Sequence, residues 1–218
     1  MQPLAIIALG LVLGVRHATD PDHVVAVTAI AARYRRLAPA ALVGAVWGLG
    51  HSLTIFIVGG AIVLFNLTVP PRVGLGFEFA VGLALTTVGA INVFGRGGFL
   101  PQDDHATRIP TGRAFGLGLV HGLAGSAAVA LLVLAAVTDP RMGLLYLGVF
   151  GLGTTLGMVL VTLGLAAPVH LMGGRWPTLG VPLRLVTGTL SLAFGVYVIY
   201  QTGWVSGLFR AAPLWSPR

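Results

Sequence analysis

The stretch Arg16-His17-Ala18-Thr19-Asp20-Pro21-Asp22-His23 decides how this chain is read. Eight residues hold two imidazoles, two carboxylates and a guanidinium, with apolar runs over 4–15 and 24–32 on either side. Ionisable groups at membrane depth are costly and, where present, mark a functional site. The flanks support that depth. The chain is 56% hydrophobic and only 9% charged, with a mean hydropathy of +0.93, whereas a soluble domain carries about 25% charged residues. The composition is that of an integral membrane protein.

The charge balance narrows the class further. All 13 basic residues are arginines, set singly or in small groups between apolar runs, so the +7 balance serves orientation in a bilayer and not nucleic-acid binding. Cysteine is absent, which excludes disulfides, thiolate metal sites and thiol redox chemistry. Met1-Gln2-Pro3 lacks a basic leader, so the first span is expected to stay in the mature chain.

Working outward from the opening stretch, six spans of bilayer-crossing length are expected, at about 3–32, 38–64, 75–95, 113–137, 142–167 and 181–202. A polar loop from Arg96 to Gly112 carries Gln102-Asp103-Asp104-His105, Pro168 is expected to close the fifth span, and Trp204 and Trp215 suit interface anchors. Eight arginines (33, 35, 36, 96, 108, 113, 175, 184) fall on one side and four (72, 141, 210, 218) on the other. That bias places both termini outside a multi-pass protein of the cell (inner) membrane.

The chain also repeats itself. Leu13-Gly14-Val15-Arg16-His17 aligns with Leu117-Gly118-Leu119-Val120-His121 at an offset of 104. Trp47-Gly48-Leu49-Gly50-His51-Ser52-Leu53 aligns with Phe150-Gly151-Leu152-Gly153-Thr154-Thr155-Leu156 at 103, and Gly82 and Gly89 align with Gly188 and Gly195 at 106. Three spans per copy force the second copy to cross in the opposite sense, the inverted-repeat layout of secondary transporters. The expected fold is therefore all-α, with residues 1–100 as a first three-helix repeat, 101–112 as a polar cytoplasmic loop and 113–218 as a second repeat.

Helical geometry sharpens the opening stretch. On a straight helix His17 and His23 would stand about 9 Å apart along the axis and about 120° around it, too far to share one ion. Pro21 removes a backbone donor, and Asp20 before it suits an N-cap, so the first helix is expected to break near Pro21. Such a break is tolerated at membrane depth only where it faces protein or a cavity. His51 and His121 also lie inside spans, and with His17, His23, Asp20 and Asp22 they form an imidazole–carboxylate set without sulfur, suited to Ni, Co, Zn or Cu(II). The plainer reading of His51 and His121 is as interhelical hydrogen-bond partners. His105 and His170 read as ordinary loop and helix-end residues, Glu78 as a group satisfied by its neighbours, Asn92 as either such a group or a residue lining the path, and Arg16 as a partner of Asp20 or Asp22 or an outward-reaching side chain. The Gly-x3-Gly pairs starting at Gly10, Gly44, Gly118 and Gly153 suit close helix packing.

His17-x4-Asp22-His23, within Arg-His-Ala-x-Asp-x-Asp-His-Val, resembles the signature of the nickel/cobalt transporter family (NiCoT), and Leu49-Gly50-His51-Ser52 resembles its second histidine motif. The full-length family has eight spans and an acidic, threonine-rich motif in its second half. Here six spans are expected, Pro21 replaces a common alanine, and the stretch His121-Gly122-Leu123-Ala124-Gly125-Ser126-Ala127 is similar to the shorter urease-accessory (UreH-like) branch of nickel permeases. The resemblance implies a permease, not an enzyme, for uptake of Ni2+ or Co2+ (Zn2+ a further candidate) as substrate, with no bound cofactor. His17, Asp22, His23 and His51 are the metal residues it implies, with Asp20 and His121 beside them and a metallochaperone as a downstream partner. A Walker sequence needs a lysine and the chain has none, so ATP hydrolysis is not its driving force. Two other readings compete: an exporter of the same fold, and a membrane acyltransferase using His17-x4-Asp22, which would want an aqueous domain and a phosphate-binding basic patch.

Overall fold

A computed structural model describes residues 3–31, 36–95, 111–122, 137, 139–171 and 180–214. Every regular element among them is helical: α1 Pro3–His17, α2 Pro21–Ala31, α3 Leu37–Phe65, α4 Pro71–Phe94, α5 Thr111–His121, α6 Pro140–Leu171 and α7 Gly180–Tyr200, which runs into a π-helical turn, Gln201–Val205. The expected polar loop lies outside the described residues except for its last two, and so does the fourth span beyond Gly122.

The helix boundaries follow local chemistry. Proline opens α2, α4 and α6 at the first helical position, where its missing N–H costs nothing. Ahead of α6, the Asp139 carboxylate accepts from Arg141 N–H at 2.9 Å, capping an end whose donors have no partners within the helix. Asn66 stops α3 in the left-handed region at φ 48°, a conformation that asparagine tolerates. The apolar span within α6 ends at Pro168, as expected, although the helix itself does not stop there. α6 continues through it to Leu171, the carbonyl four residues back belonging to Gly164, whose own position is open.

Four helices are long and apolar enough to cross a membrane: α3, α4, α6, and α7 with its π turn. α1 and α2 qualify together as one span bent by 54°, so the described residues offer up to five crossings. The chain has the make-up of a membrane protein, with large apolar side chains such as Phe94 and Leu171 about four-fifths exposed around the outside. α3 and α6 form the inner pair. α1 packs along α6, α5 along α3, and α4 along α7.

Glycines let these backbones meet. A Cβ at Gly14 would run into the Phe150 carbonyl and stand 2.8 Å from Thr154 N, and one at Gly118 would run into the Trp47 carbonyl and stand 3.0 Å from His51 N. Between α3 and α6 the Ser52 hydroxyl donates to the Gly151 carbonyl at 2.8 Å and lies 3.0 Å from Thr155 Oγ1. Between α4 and α7, Gly82 faces Gly195 and Gly89 faces Gly188.

Candidate metal centre

The site begins at the break between α1 and α2. After His17 the backbone closes into tight turns, Thr19 N–H donating to the Arg16 carbonyl at 2.9 Å and Asp20 N–H to the His17 carbonyl at 3.0 Å. The Asp20 carbonyl then accepts from Val24 N–H at 3.0 Å and starts α2. Asp20 thus occupies the expected cap position, but its carboxylate turns back to His17, with Oδ2 at 2.8 Å from His17 Nδ1. The break folds the two histidines toward each other, and their ring centroids lie 4.6 Å apart. A helix that ran straight could not bring them there.

His51 enters from α3, where it is the middle residue of 29 and therefore lies near the centre of the span. Its Nε2 is 3.0 Å from His17 Nε2, and its ring centroid is 4.7 Å from that of His23. His17, His23 and His51 are all buried, and each offers a nitrogen such that the three lie within 4.8 Å of one another. This is the one group among the described residues with the make-up of a metal site.

The carboxylates stand behind the rings. Asp20 receives the Nδ1 proton of His17, and Asp22 Oδ1 lies 3.2 Å from His23 Nδ1 without hydrogen-bond alignment. A carboxylate on Nδ1 fixes the neutral tautomer that leaves Nε2 with its lone pair, the arrangement found behind metal-ligating histidines. With its proton on Nδ1, His17 Nε2 accepts from His51 Nε2–H across the 3.0 Å contact. Both nitrogens of His23 and Nδ1 of His51 are buried with no hydrogen-bond partner among the described residues. Unpaired polar atoms are costly inside an apolar span. If the three imidazoles hold a metal ion, replacing Asp20 by asparagine is expected to weaken its binding about 10–100-fold by calorimetry on the purified protein, the range for losing such an outer partner.

His121, the last residue of α5, is fully buried beside His23, with ring centroids 5.6 Å apart. It is not part of the three-histidine group. Of the remaining candidates, His170 is exposed near the end of α6, Arg16 is exposed, and His105, Asp103 and Asp104 lie outside the described residues. Asn92 is buried and its Nδ2 donates to the Ala29 carbonyl at 2.9 Å, tying α4 to α2. Thr54 bonds the carbonyls of Gly50 and Leu119 and so ties α3 to α5.

Sequence reasoning passed over the aromatic walls. The Phe150 ring lies 5.4 Å from His17, and the buried Trp47 ring lies 5.5 Å from His121 and 5.9 Å from His23. The signal was present, because Trp47 and Phe150 are equivalent positions at the 103-residue offset.

Comparison with known proteins yields one full-length relative. The urease accessory protein UreH of Bacillus sp. (strain TB-90) is 34% identical over 219 residues, covering 95% of this chain and 96% of the relative. No protein-family model matches the chain, and no solved structure matches it. The relative is described as an accessory protein, which agrees with the reading of the chain as a non-enzyme.

Proposed function

This chain belongs to the family of the urease accessory protein UreH, and from that premise we propose that it is a membrane permease taking up a divalent transition-metal ion, Ni2+ before Co2+, at the His17/His23/His51 centre without ATP hydrolysis. The observation that carries the reading is the convergence of three buried imidazoles from α1, α2 and α3 at the midpoint of an apolar helix. Ureases need nickel, so an accessory membrane protein with such a centre has an evident task. The ion is cargo, and a metallochaperone is the partner suited to receive it inside.

The donor set fits the cargo. Two nitrogens about 2.1 Å from one ion and at right angles to each other stand about 3.0 Å apart, and Ni2+ favours such tetragonal geometry. The separation of His17 Nε2 and His51 Nε2 is 3.0 Å. Loading requires His51 to hold its proton on Nδ1 instead of Nε2. Asp20 and Asp22 supply negative charge against the ion, Asp20 through His17 and Asp22 as charge or fourth ligand beside His23. The membrane potential supplies about 4.6 kcal/mol per 100 mV for inward movement of a doubly charged ion.

The same reading takes the fold as six spans in two inverted repeats, 1–100 and 113–218 about the loop 101–112, with both termini outside the inner membrane. The contacts support it by their reciprocity. Gly14 meets Phe150 and Thr154, while Gly118 meets Trp47 and His51, and the repeat offsets carry the first set onto the second. Gly82 with Gly195 and Gly89 with Gly188 exchange in the same way. Ser52 and Thr155, equivalent positions, touch each other.

Radioactive Ni2+ uptake in cells expressing the protein, with Co2+ and Zn2+ as competitors, tests the function. Accumulation above vector controls, inhibited by unlabelled Ni2+ more than by Zn2+, is the expected result. Depletion relative to controls would make the protein an exporter, and no change in either direction would end the permease reading.

A further inference from the structure

The three-histidine centre lies between two aromatic residues, each in a buried apolar cluster of its own. On α3, His51 stands four residues after Trp47 and four before Ile55, so the three share one helix face. On α6, Thr154 stands four residues after Phe150 and four before Met158, again on one face. The two helices run antiparallel, with Gly44 facing Met158 and Thr162 and Gly59 facing Leu147. Trp47 therefore falls on the same side of the centre as Met158, and Ile55 on the same side as Phe150, and each pair lies within one cluster. We propose that Trp47 with Met158, and Phe150 with Ile55, are two gates that open in turn, so that the cation reaches the centre from one face of the membrane and leaves it by the other. The inference rests on the permease reading and deepens it.

Three observations carry it. The aromatic rings stand directly against the centre, Phe150 at 5.4 Å from His17 and Trp47 at 5.9 Å from His23, and all four side chains of the two pairs are no more than 5% exposed. The 103-residue offset carries Trp47 onto Phe150 and Ile55 onto Met158, so each pair joins an aromatic residue of one repeat to an aliphatic residue of the other, and the repeat exchanges the two pairs. Each side also buries an aromatic polar atom without a hydrogen-bond partner among the described residues, the Trp47 Nε1–H on one and the Tyr146 hydroxyl on the other. Tyr146 lies one turn before Phe150, with ring centroids 6.1 Å apart. Buried indole N–H and phenol O–H groups ordinarily find a partner, and a gate that opens admits water to each of them.

The physics of such pairs is that of a dry constriction. Apolar side chains that meet across a path exclude water, and a doubly charged ion does not cross without it. Both pairs closed at once seal the centre, and both open at once would make a leak down the gradient. Between the pairs, α3 and α6 are fastened at the level of the centre, where the Ser52 hydroxyl donates to the Gly151 carbonyl at 2.8 Å and lies 3.0 Å from its repeat equivalent, Thr155. Tilting α3 against α6 about that fixed contact widens one end of the interface and tightens the other. That coupling is what alternating access between two repeats requires.

The test uses the full chain, which has no cysteine of its own. Thr154→Cys places a single thiol on the α6 row between the two gates, and a membrane-impermeant cationic methanethiosulfonate is added, without metal, to right-side-out or inverted membrane vesicles. Relative to this reporter alone, Phe150→Ala is expected to speed labelling at least about tenfold from one face only, and Trp47→Ala by at least about as much from the opposite face only. Ile55→Ala is expected to follow Phe150→Ala, and Met158→Ala to follow Trp47→Ala. These two stand in for an aromatic variant that fails to reach the membrane. Acceleration from both faces by any one variant overturns the gates, since the packing would then only be loosened. So does acceleration from the same face on both sides of the centre, and so does no acceleration at all. Labelling needs no transport, so a failure of the permease reading, seen as absent Ni2+ uptake by the unaltered protein, is distinct from all of these.

Discussion

Replacing His17 by alanine is expected to abolish metal accumulation and to weaken equilibrium Ni2+ binding by more than the roughly 10–100-fold that an outer-shell partner alone is worth. His17 ties together three other groups of the centre. Its Nε2 meets His51 at 3.0 Å, its Nδ1 holds the Asp20 carboxylate at 2.8 Å, and its ring stands 4.6 Å from His23. Removing it takes away one ligand, releases the carboxylate that oriented it and leaves His51 without its partner. The readouts are radioactive Ni2+ uptake at limiting metal and calorimetry on purified protein, with His170→Ala as the comparison, because His170 is exposed and outside the cluster. A His17→Ala protein that is present in the membrane at normal level and transports normally would remove the central site from the mechanism. His23→Ala should behave alike, since that ring sits between His17, His51 and His121.

Much of this centre was legible in the residues themselves. The break before Pro21 followed from the fixed geometry of proline and from the impossibility of sharing an ion between His17 and His23 on a straight helix, and α1 and α2 meet at 54° there. Residue types and spacing also brought His51 into the set, because a histidine at mid-span needs a polar reason. What could not be read was the division of labour within the cluster. Asp20 and Asp22 are equally good ligands by composition, and only the backbone turn at 18–20 shows the Asp20 carboxylate turned to His17 Nδ1. The aromatic walls were hidden for a different reason. Trp47 and Phe150 look like ordinary core residues, and their placement against His121 and His17 depends on which helices become neighbours, a long-range property that periodicity does not encode. The glycines lay between these extremes, since their spacing announced close packing but not the partners.

Those partners make the second large prediction. Gly14→Ala and Gly118→Ala are each expected to destabilise the protein by about 1–3 kcal/mol, and by similar amounts, although a single methyl group is all that is added. At Gly14 the new Cβ would overlap the Phe150 carbonyl oxygen and approach Thr154 N to 2.8 Å, and at Gly118 it would overlap the Trp47 carbonyl oxygen and approach His51 N to 3.0 Å. Both obstacles are backbone in the middle of long helices, so neither can swing aside as a side-chain end would, and α1 or α5 must move away as a unit. In a bilayer that loss is not made good by hydrophobic burial, because lipid chains are as apolar as the helix faces and close contact is what holds the helices together. Gly164→Ala supplies the contrast. A Cβ there meets nothing within 4 Å, and the added helix propensity should leave stability unchanged or raised by about 0.4–1 kcal/mol. Thermal unfolding of the three variants in one detergent, followed by tryptophan fluorescence, separates these outcomes. Equal stability of all three would show that α1 and α5 do not approach α6 and α3 through these glycines. Loss at Gly14 and Gly118 together would carry a further consequence for function: each glycine lies three residues before the histidine its helix delivers, so displacing α1 moves His17 and displacing α5 moves His121. Ni2+ binding should therefore fall in Gly14→Ala even in the fraction that remains folded, because the interface that fixes the helix also fixes the ligand.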